Sequence, residues 1–425
     1  MYKVNMMQRT IILTILVLLF LVLDWYIFTG VKQLIKPWSL NNQRLVSILY
    51  WAIPFLSVSL IIIGFFWLGE RLSYQTRTFI ASFVLIVYVS KIFAAVVLIF
   101  GDIVLMLRKA YSWIHSSFTD NNASLNEPTS NPISRTEFIT KAALAVGATH
   151  IGTMTWGIIS GAHDYRIRRI PLNLPNLPAQ FHGLKLVQIS DIHSGSFFNK
   201  TAVEGGVDML LNEKPDMVFF TGDIVNNKAE ELNDYFDIFK RIQAPLGVYS
   251  TLGNHDYGDY VQWSNEQAKT QNLKDLMEAH KLMNWNLLMD EHKEIKIDGD
   301  SIGILGIQNW GQGFAQHGNL EKAMLNTDHL STKLLLSHDP SHWRAQVLDK
   351  TNIDVSFAGH THGMQYGVEI GGFKWSPVSL RYKEWAGLYK ENQQQLYVNR
   401  GYGYLGYPGR IGILPEITVF ELQKA

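Results

Sequence analysis

Apolar residues in this chain are concentrated at the front, in nearly continuous runs of Leu, Ile, Val, Phe and Trp over residues 11–28, 45–68 and 79–107. About 20 such residues span the hydrocarbon core of a bilayer. The alternative, helices buried in a large soluble protein, fits poorly, because such helices rarely stay apolar on every face for so long. A weaker fourth stretch, 138–159, follows a polar and basic lead over 134–141 in the manner of an internal signal-anchor. Residues 116–136 between the third and fourth stretches are rich in Ser, Asn, Thr and Pro and read as an inter-helix loop. The expected organisation is a transmembrane region of three spans over 1–115, the loop and fourth anchor over 116–169, and a globular domain over 170–425. Such a chain is a multi-pass protein of the cell membrane.

Orientation is set by basic residues near the spans. With the N-terminus inside, the inner segments hold Lys3, Arg9, Arg71 and Arg77; with it outside, they hold Lys32, Lys36, Arg44, Arg108, Lys109 and Arg135. The larger second set places the domain outside the cytoplasm, although Arg166, Arg168 and Arg169 pull the other way. Asp24, Lys91 and Asp102 lie within or near the spans, where charge is costly, and read as snorkelling or helix-to-helix pairs.

Beyond residue 170 the texture changes to short β-like runs separated by helical patterns and polar turns, which predicts an α/β domain. Strands are expected over 184–189, 217–221, 247–252, 302–307, 333–337, 354–358, 395–398 and 417–422, and helices over 201–211 and 265–282. The 37 basic residues balance the 37 acidic ones, so bulk charge recruits no nucleic acid. With no cysteine, thiolate zinc sites and thiol nucleophiles are excluded, and any metal must be held by His, Asp, Glu or Asn. No His-Glu-x-x-His, Gly-x-Ser-x-Gly or Walker pattern is present.

Polar side chains cluster directly after five of the expected strands. Asp191 and His193, then Gly222-Asp223, then Gly253-Asn254-His255-Asp256, then His338, and finally Gly359-His360-Thr361-His362-Gly363 each follow one. Ligands in open α/β sheets collect beyond the carboxyl ends of strands, so these clusters are expected to share one rim. Asp191, His193, Asp223, Asn254, His338, His360 and His362 are too many donors for one ion and suit two, with a mixture of imidazole, carboxylate and amide that favours Mn, Fe or Zn over Ca or Mg. Two such ions can clamp the oxygens of an in-line displacement and activate water. The other histidines, His115, His150, His163, His182, His280, His292, His317, His329 and His342, lack such surroundings and are given no function.

These five clusters resemble, in order, the motifs of the calcineurin-like metallophosphoesterases, over roughly 184–422. Ser190-Asp191-Ile192-His193, the Gly359 to Gly363 segment, Tyr397-Val398-Asn399-Arg400-Gly401 and Pro415-Glu416-Ile417-Thr418 are most similar to the membrane-attached bacterial branch. The resemblance implies an α/β/β/α sandwich of two stacked mixed sheets flanked by helices. It implies one metal on Asp191, His193, Asp223 and His362, and a second on Asp223, Asn254, His338 and His360, with Asp223 bridging. It implies that His255 is the general acid and that Asp256 orients its ring; capping of the following helix is the simpler role for Asp256. Arg400 and Arg410 are candidate phosphate binders, ordinary ion pairing being the alternative. Asp256 stands where many relatives carry Glu, and Gln308-Asn309-Trp310 lacks an acidic residue found in some. The expected activity is hydrolysis of a phosphoester or pyrophosphate by hydroxide held at the two-metal centre, on a small phosphorylated molecule or a lipid. No protein partner is predicted. The competing reading is a transporter or sensor built from the helices, with a regulatory or inactive phosphoesterase domain.

Overall fold

The computed structural model describes residues 6–66, 72–118 and 135–425. Most of the polar loop expected over 116–136, together with Lys3, Arg71 and the end of the second apolar stretch, lies outside the described residues. The chain divides into two compact units, Met1–Thr155 and Trp156–Ala425.

The first unit is helical. Helices α1 (Met6–Ile35), α2 (Leu40–Phe66), α3 (Tyr74–Phe118) and most of α4 (Arg135–Ile159) cover the four apolar stretches, and all four are long and apolar enough to cross a membrane. With 45 residues, α3 is far longer than a bilayer requires: at 1.5 Å per residue it extends about 68 Å. Asp24 is fully buried among these helices, paired with Lys91 and accepting from the Tyr88 hydroxyl at 3.1 Å, so these two charges pair between α1 and α3. Asp102 accepts from the Tyr26 hydroxyl at 2.6 Å.

The second unit is built on two six-stranded mixed sheets. The first contains β1 (Arg166–Leu174), β2 (Lys185–Ile189), β3 (Met217–Thr221), β4 (Val248–Thr251), β5 (Trp285–Leu287) and β14 (Glu416–Lys424), in the order β1-β14-β2-β3-β4-β5. The second contains β6 (Glu291–Ile297), β7 (Asp300–Gly306), β8 (Lys333–Leu336), β9 (Val355–Ala358), β12 (Gly387–Glu391) and β13 (Gln394–Val398), in the order β12-β13-β9-β8-β7-β6. A separate hairpin joins β10 (Val368–Ile370) to β11 (Phe373–Trp375). The helices are α5 (Lys200–Asn212), α6 (Phe236–Phe239), α7 (Glu266–Leu282) and α8 (Leu320–Met324).

The period-two alternation of strands decides the layering. Along β3, Met217 and Phe219 point between the sheets, where they meet Leu334, Leu336, Val355 and Phe357, while Val218 and Phe220 face Val203, Val207 and Leu276 of α5 and α7. On the far face of the second sheet, Leu335, Leu396 and Val398 pack on Trp343 and Val347. The result is the expected α/β/β/α sandwich. The expected strands and helices are present with ends shifted by a few residues, and β1, β5, β6, β10, β11 and β12 are additional. β6 escapes an apolar reading because it is an edge strand of largely charged sequence, Glu-His-Lys-Glu-Ile-Lys-Ile.

Candidate metal centre

The strands β2, β3, β4 and β5 run parallel, as do β7, β8, β9 and β13, so the segments leaving β2, β3, β4, β8 and β9 emerge at the carboxyl ends of their sheets. These segments converge. One group of donors within reach of a single ion is Asp191, His193 and His362; a second is Asp223, His338 and His360. Asn254 joins the second group, its Oδ1 lying 2.9 Å from His360 Nδ1. Asp223 Oδ2 is 3.1 Å from His338 Nε2 and 3.6 Å from His193 Nε2, so one carboxylate oxygen faces both groups.

The backbone makes this convergence possible at a conformational cost. Asp191, His193, Asp223, His360 and His362 all adopt left-handed φ values, between 50° and 69°. Non-glycine residues hold such angles only where the surroundings over-determine them, and such residues gather at functional sites. Here the Asp191 N–H donates to Gly222 O at 2.9 Å, the His193 N–H to Asp223 O at 3.1 Å, and the His360 N–H to the Asp191 carboxylate at 2.9 Å. Close approach also demands glycine: a Cβ on Gly359 would sit 2.0 Å from Ser190 Oγ and 2.1 Å from Asp191 Oδ2.

A family model described as "Calcineurin-like phosphoesterase" matches residues 184–364, and one described as "Probable Calcineurin-like phosphoesterase, transmembrane domain" matches residues 8–162. Metallophosphoesterase YkuE of Bacillus subtilis is 30% identical over 255 residues, 58% of this chain and 82% of that protein. The chain belongs to the calcineurin-like metallophosphoesterases. A "Transmembrane protein with metallophosphoesterase domain" from Bos taurus is 26% identical over 67% of this chain and 63% of its own length. A UDP-2,3-diacylglucosamine pyrophosphatase, LpxG, from Chlamydia muridarum is 27% identical over 62% of this chain and 91% of its own length. The match thus spans less than two thirds of the bovine protein but most of the two bacterial ones.

Within this metallophosphoesterase, hydrogen bonds set which nitrogen of each ring faces inward. His338 Nδ1 lies 2.7 Å from the Thr221 carbonyl and His193 Nδ1 lies 3.1 Å from Asn226 Oδ1, both acceptors, so each Nδ1 carries hydrogen and Nε2 is turned to the centre. His193 Nε2 and His362 Nε2 are 3.0 Å apart, and His338 Nε2 and His360 Nδ1 are 3.2 Å apart. Nitrogen pairs this close are the disposition expected around a cation. Burial disfavours the His338 cation, yet the Asp223 carboxylate outweighs it and lifts the ring to about 10. The same ring, with His255, holds Asp223 well below the usual carboxylate range despite its burial. Burial lowers His193 to about 3 and His360 to about 4, and raises Asp191 to about 6. Without a metal, therefore, a proton on His338 is the chief counter-charge to the buried carboxylates.

Two expectations are corrected by the geometry. Asp256 does not orient the His255 ring. Its carboxylate accepts the backbone N–H groups of Gly253 at 2.8 Å, Asp223 at 2.9 Å and Ile224 at 2.9 Å, while His255 Nδ1 lies 2.8 Å from the Asn226 carbonyl. A short buried carboxylate surrounded by amide donors is spent on them. Arg400 and Arg410, the candidate phosphate binders, are instead committed to protein groups. Arg400 is buried on Glu416, 2.5 Å away, and Glu369, and Arg410 is buried with its guanidinium on the carbonyls of Gly403, Arg400 and Gly401. Arg410 Nη2 also lies 3.2 Å from His362 Nδ1 and backs that ring.

Residues not singled out in the sequence complete the surroundings. Asn226 receives both His193 and His255, the Tyr260 hydroxyl lies 2.7 Å from Asn254 Nδ2, and the Tyr382 hydroxyl lies 3.0 Å from His360 Nε2. Asn226 follows Asp223 closely enough to draw notice; Tyr382 reaches the site from a distant loop and leaves no local signal. Gln308 is tied to Asp290 by its backbone N–H and its side-chain amide.

Proposed function

We propose that the chain is a membrane-anchored, metal-dependent phosphohydrolase, with a two-cation centre in residues 170–425 and the helices as its anchor. The observation that carries this reading is the position of Asp223 Oδ2 between the two donor groups. Asp191, His193, Asp223 and His362 would hold one cation, and Asp223, Asn254, His338 and His360 the other. The mixed nitrogen and oxygen set suits Mn, Fe or Zn. Bound there, divalent cations neutralise phosphoryl oxygens and lower the pKa of water toward about 7.

The protein's own part is positioning and proton transfer. The His255 backbone N–H donates to Asp223 Oδ1 at 2.8 Å, which ties this residue to the shared ligand. With Nδ1 held by the Asn226 carbonyl, His255 Nε2 is the atom that delivers a proton to the departing oxygen, an effect typically worth 10²–10⁴-fold. The complete donor set supports a working enzyme over a regulatory attachment.

A lipid-linked pyrophosphate or phosphoester is the substrate class supported by the anchor and by the name of the Chlamydia muridarum relative. The basic-residue balance supports an extracytoplasmic domain, which a C-terminal reporter active only outside the cytoplasm tests. The enzymatic reading is tested with the full chain in detergent, Mn²⁺, a chromogenic phosphodiester and a lipid-linked diphosphate. Wild type should turn over at least one of them, and Asp223→Asn and His255→Ala should not; equal rates in all three forms remove the reading.

A further inference from the structure

The hairpin β10–β11 carries large exposed apolar side chains. Ile370 is 74% exposed and Phe373 64% exposed, on either side of the Gly371-Gly372 tip, and Val368 and Trp375 are also exposed. Exposed apolar groups gathered in this way mark an interaction surface.

Two further observations say what covers it. First, the hairpin is joined to the end of the membrane span. The last turn of α4, which belongs to the second unit, exposes Trp156 and Ile159 at 65% and 67%, and the candidate span continues to His163. Gly157 O accepts the Arg410 N–H at 3.1 Å, and a Cβ on Gly161 would meet Arg410 O at 2.1 Å, so the 410–411 segment lies against the helix end. Ile411 in turn exchanges hydrogen bonds with the base of the hairpin, donating to Gln365 O at 2.8 Å and accepting from Gly367 N at 2.9 Å. Second, the base of the hairpin is also braced to the metal motif, since Ser376 Oγ donates to Gly363 O at 2.7 Å, one residue beyond His362.

We propose that the β10–β11 hairpin, with Trp156 and Ile159, is a bilayer-seated surface of the second unit that holds the metal motif at lipid headgroup level. The partner is the lipid bilayer that α4 already enters. Aromatic and aliphatic side chains at the mouth of a span are what the interface accommodates, Trp in particular being enriched there. This rests on membrane attachment and not on hydrolysis. If the hydrolase reading also holds, the hairpin presents lipid-borne phosphoryl groups to the centre from the membrane side.

The chain has no cysteine, so single labels can be placed cleanly. Ile370→Cys, Phe373→Cys and, as a control, Leu282→Cys are made in the full chain, labelled with an environment-sensitive fluorophore, and reconstituted in vesicles of phosphatidylethanolamine and phosphatidylglycerol. Leu282 is an exposed apolar residue at the end of α7, which enters β5 at the edge opposite the metal rim. Labels at 370 and 373 are expected to show at least about threefold less iodide quenching than the control and to be quenched by nitroxide-bearing lipids, as insertion roughly 5–10 Å into the interface requires. Iodide access equal to that at 282 overturns the proposal. So does shielding from iodide without quenching by the nitroxide lipids, which would mean that protein, such as a second copy of the chain, covers the hairpin.

Discussion

The carboxylate of Asp256 receives the backbone N–H of Asp223 at 2.9 Å, so a residue outside both candidate donor groups positions a member of one of them. The same carboxylate takes the amides of Gly253 and Ile224, locking the loops after β3 and β4 together. Asp256→Ala strands these buried donors, each costing about 1–3 kcal/mol when unsatisfied. Denaturant unfolding of the variant should show a loss of at least about 2 kcal/mol, and elemental analysis should show reduced metal. Asp256→Asn keeps one acceptor oxygen and should fall between it and wild type. Normal stability and metal content in the alanine variant would contradict this role.

Metal affinity should rise with pH. In the metal-free protein His338 is lifted to about 10 by Asp223, against the effect of burial, so its Nε2 carries a proton through the neutral range. A cation must displace that proton, and the displacement becomes easier as pH approaches 10. Calorimetry with Mn²⁺ in buffers of different ionisation enthalpy should register release of about one proton, with affinity growing up to about tenfold per pH unit between neutrality and the ring's pKa. An affinity independent of pH would mean that His338 is not displaced from its proton.

Substitution of glycine by alanine should act in opposite directions at two sites. At Gly359 the new methyl collides with Ser190 and Asp191, so metal binding should be lost and the melting temperature should fall. At Gly205, within α5, nothing lies within 4 Å of the added carbon, and the helix should gain about 0.5–1 kcal/mol. Thermal melts of both variants, read beside metal content, check the contrast.

Within the helical unit, the buried Asp24 and its half-buried partner Lys91 should be more sensitive to single than to joint replacement. Lys91→Met alone leaves Asp24 uncompensated, a loss of about 3–5 kcal/mol for a buried pair, whereas Asp24→Leu with Lys91→Met removes both charges and should restore most of it. Thermal inactivation in detergent distinguishes the two; a double variant no better than the single one would show that the pair is needed for more than mutual neutralisation.

Tyr382→Phe should weaken metal binding by about 10–100-fold, because its hydroxyl fixes the His360 ring from behind the donor nitrogen. Fluorescence competition with a chelator measures this, and unchanged affinity would assign Tyr382 to packing alone.

Much of the architecture was legible because the signals are local. Long apolar runs specify membrane helices, and the runs at β3 and β8, buried on both faces, stand out without any partner being known. The edge strands were hidden. β1, Arg-Ile-Arg-Arg-Ile-Pro-Leu-Asn-Leu, carries three arginines and a proline, which an edge tolerates and a central strand would not. The positions of the polar donors after strands were equally visible, and so was the need for glycine beside them.

What depends on separation along the chain was decided only by tertiary structure. Asp191 and His362 come from different sheets, and their meeting depends on how the two sheets stack. Arg400 and Arg410 look like phosphate ligands as isolated guanidinium groups; only their burial against Glu416, Glu369 and backbone carbonyls reveals that they brace the fold. The sequence by itself determined the residue types, their spacing from strand ends and the membrane attachment, because these are properties of short stretches of chain. Which carboxylate lies near both donor groups, which one accepts the loop amides, and which apolar hairpin is left exposed were settled by packing, because each depends on groups that approach only when distant segments are pressed together.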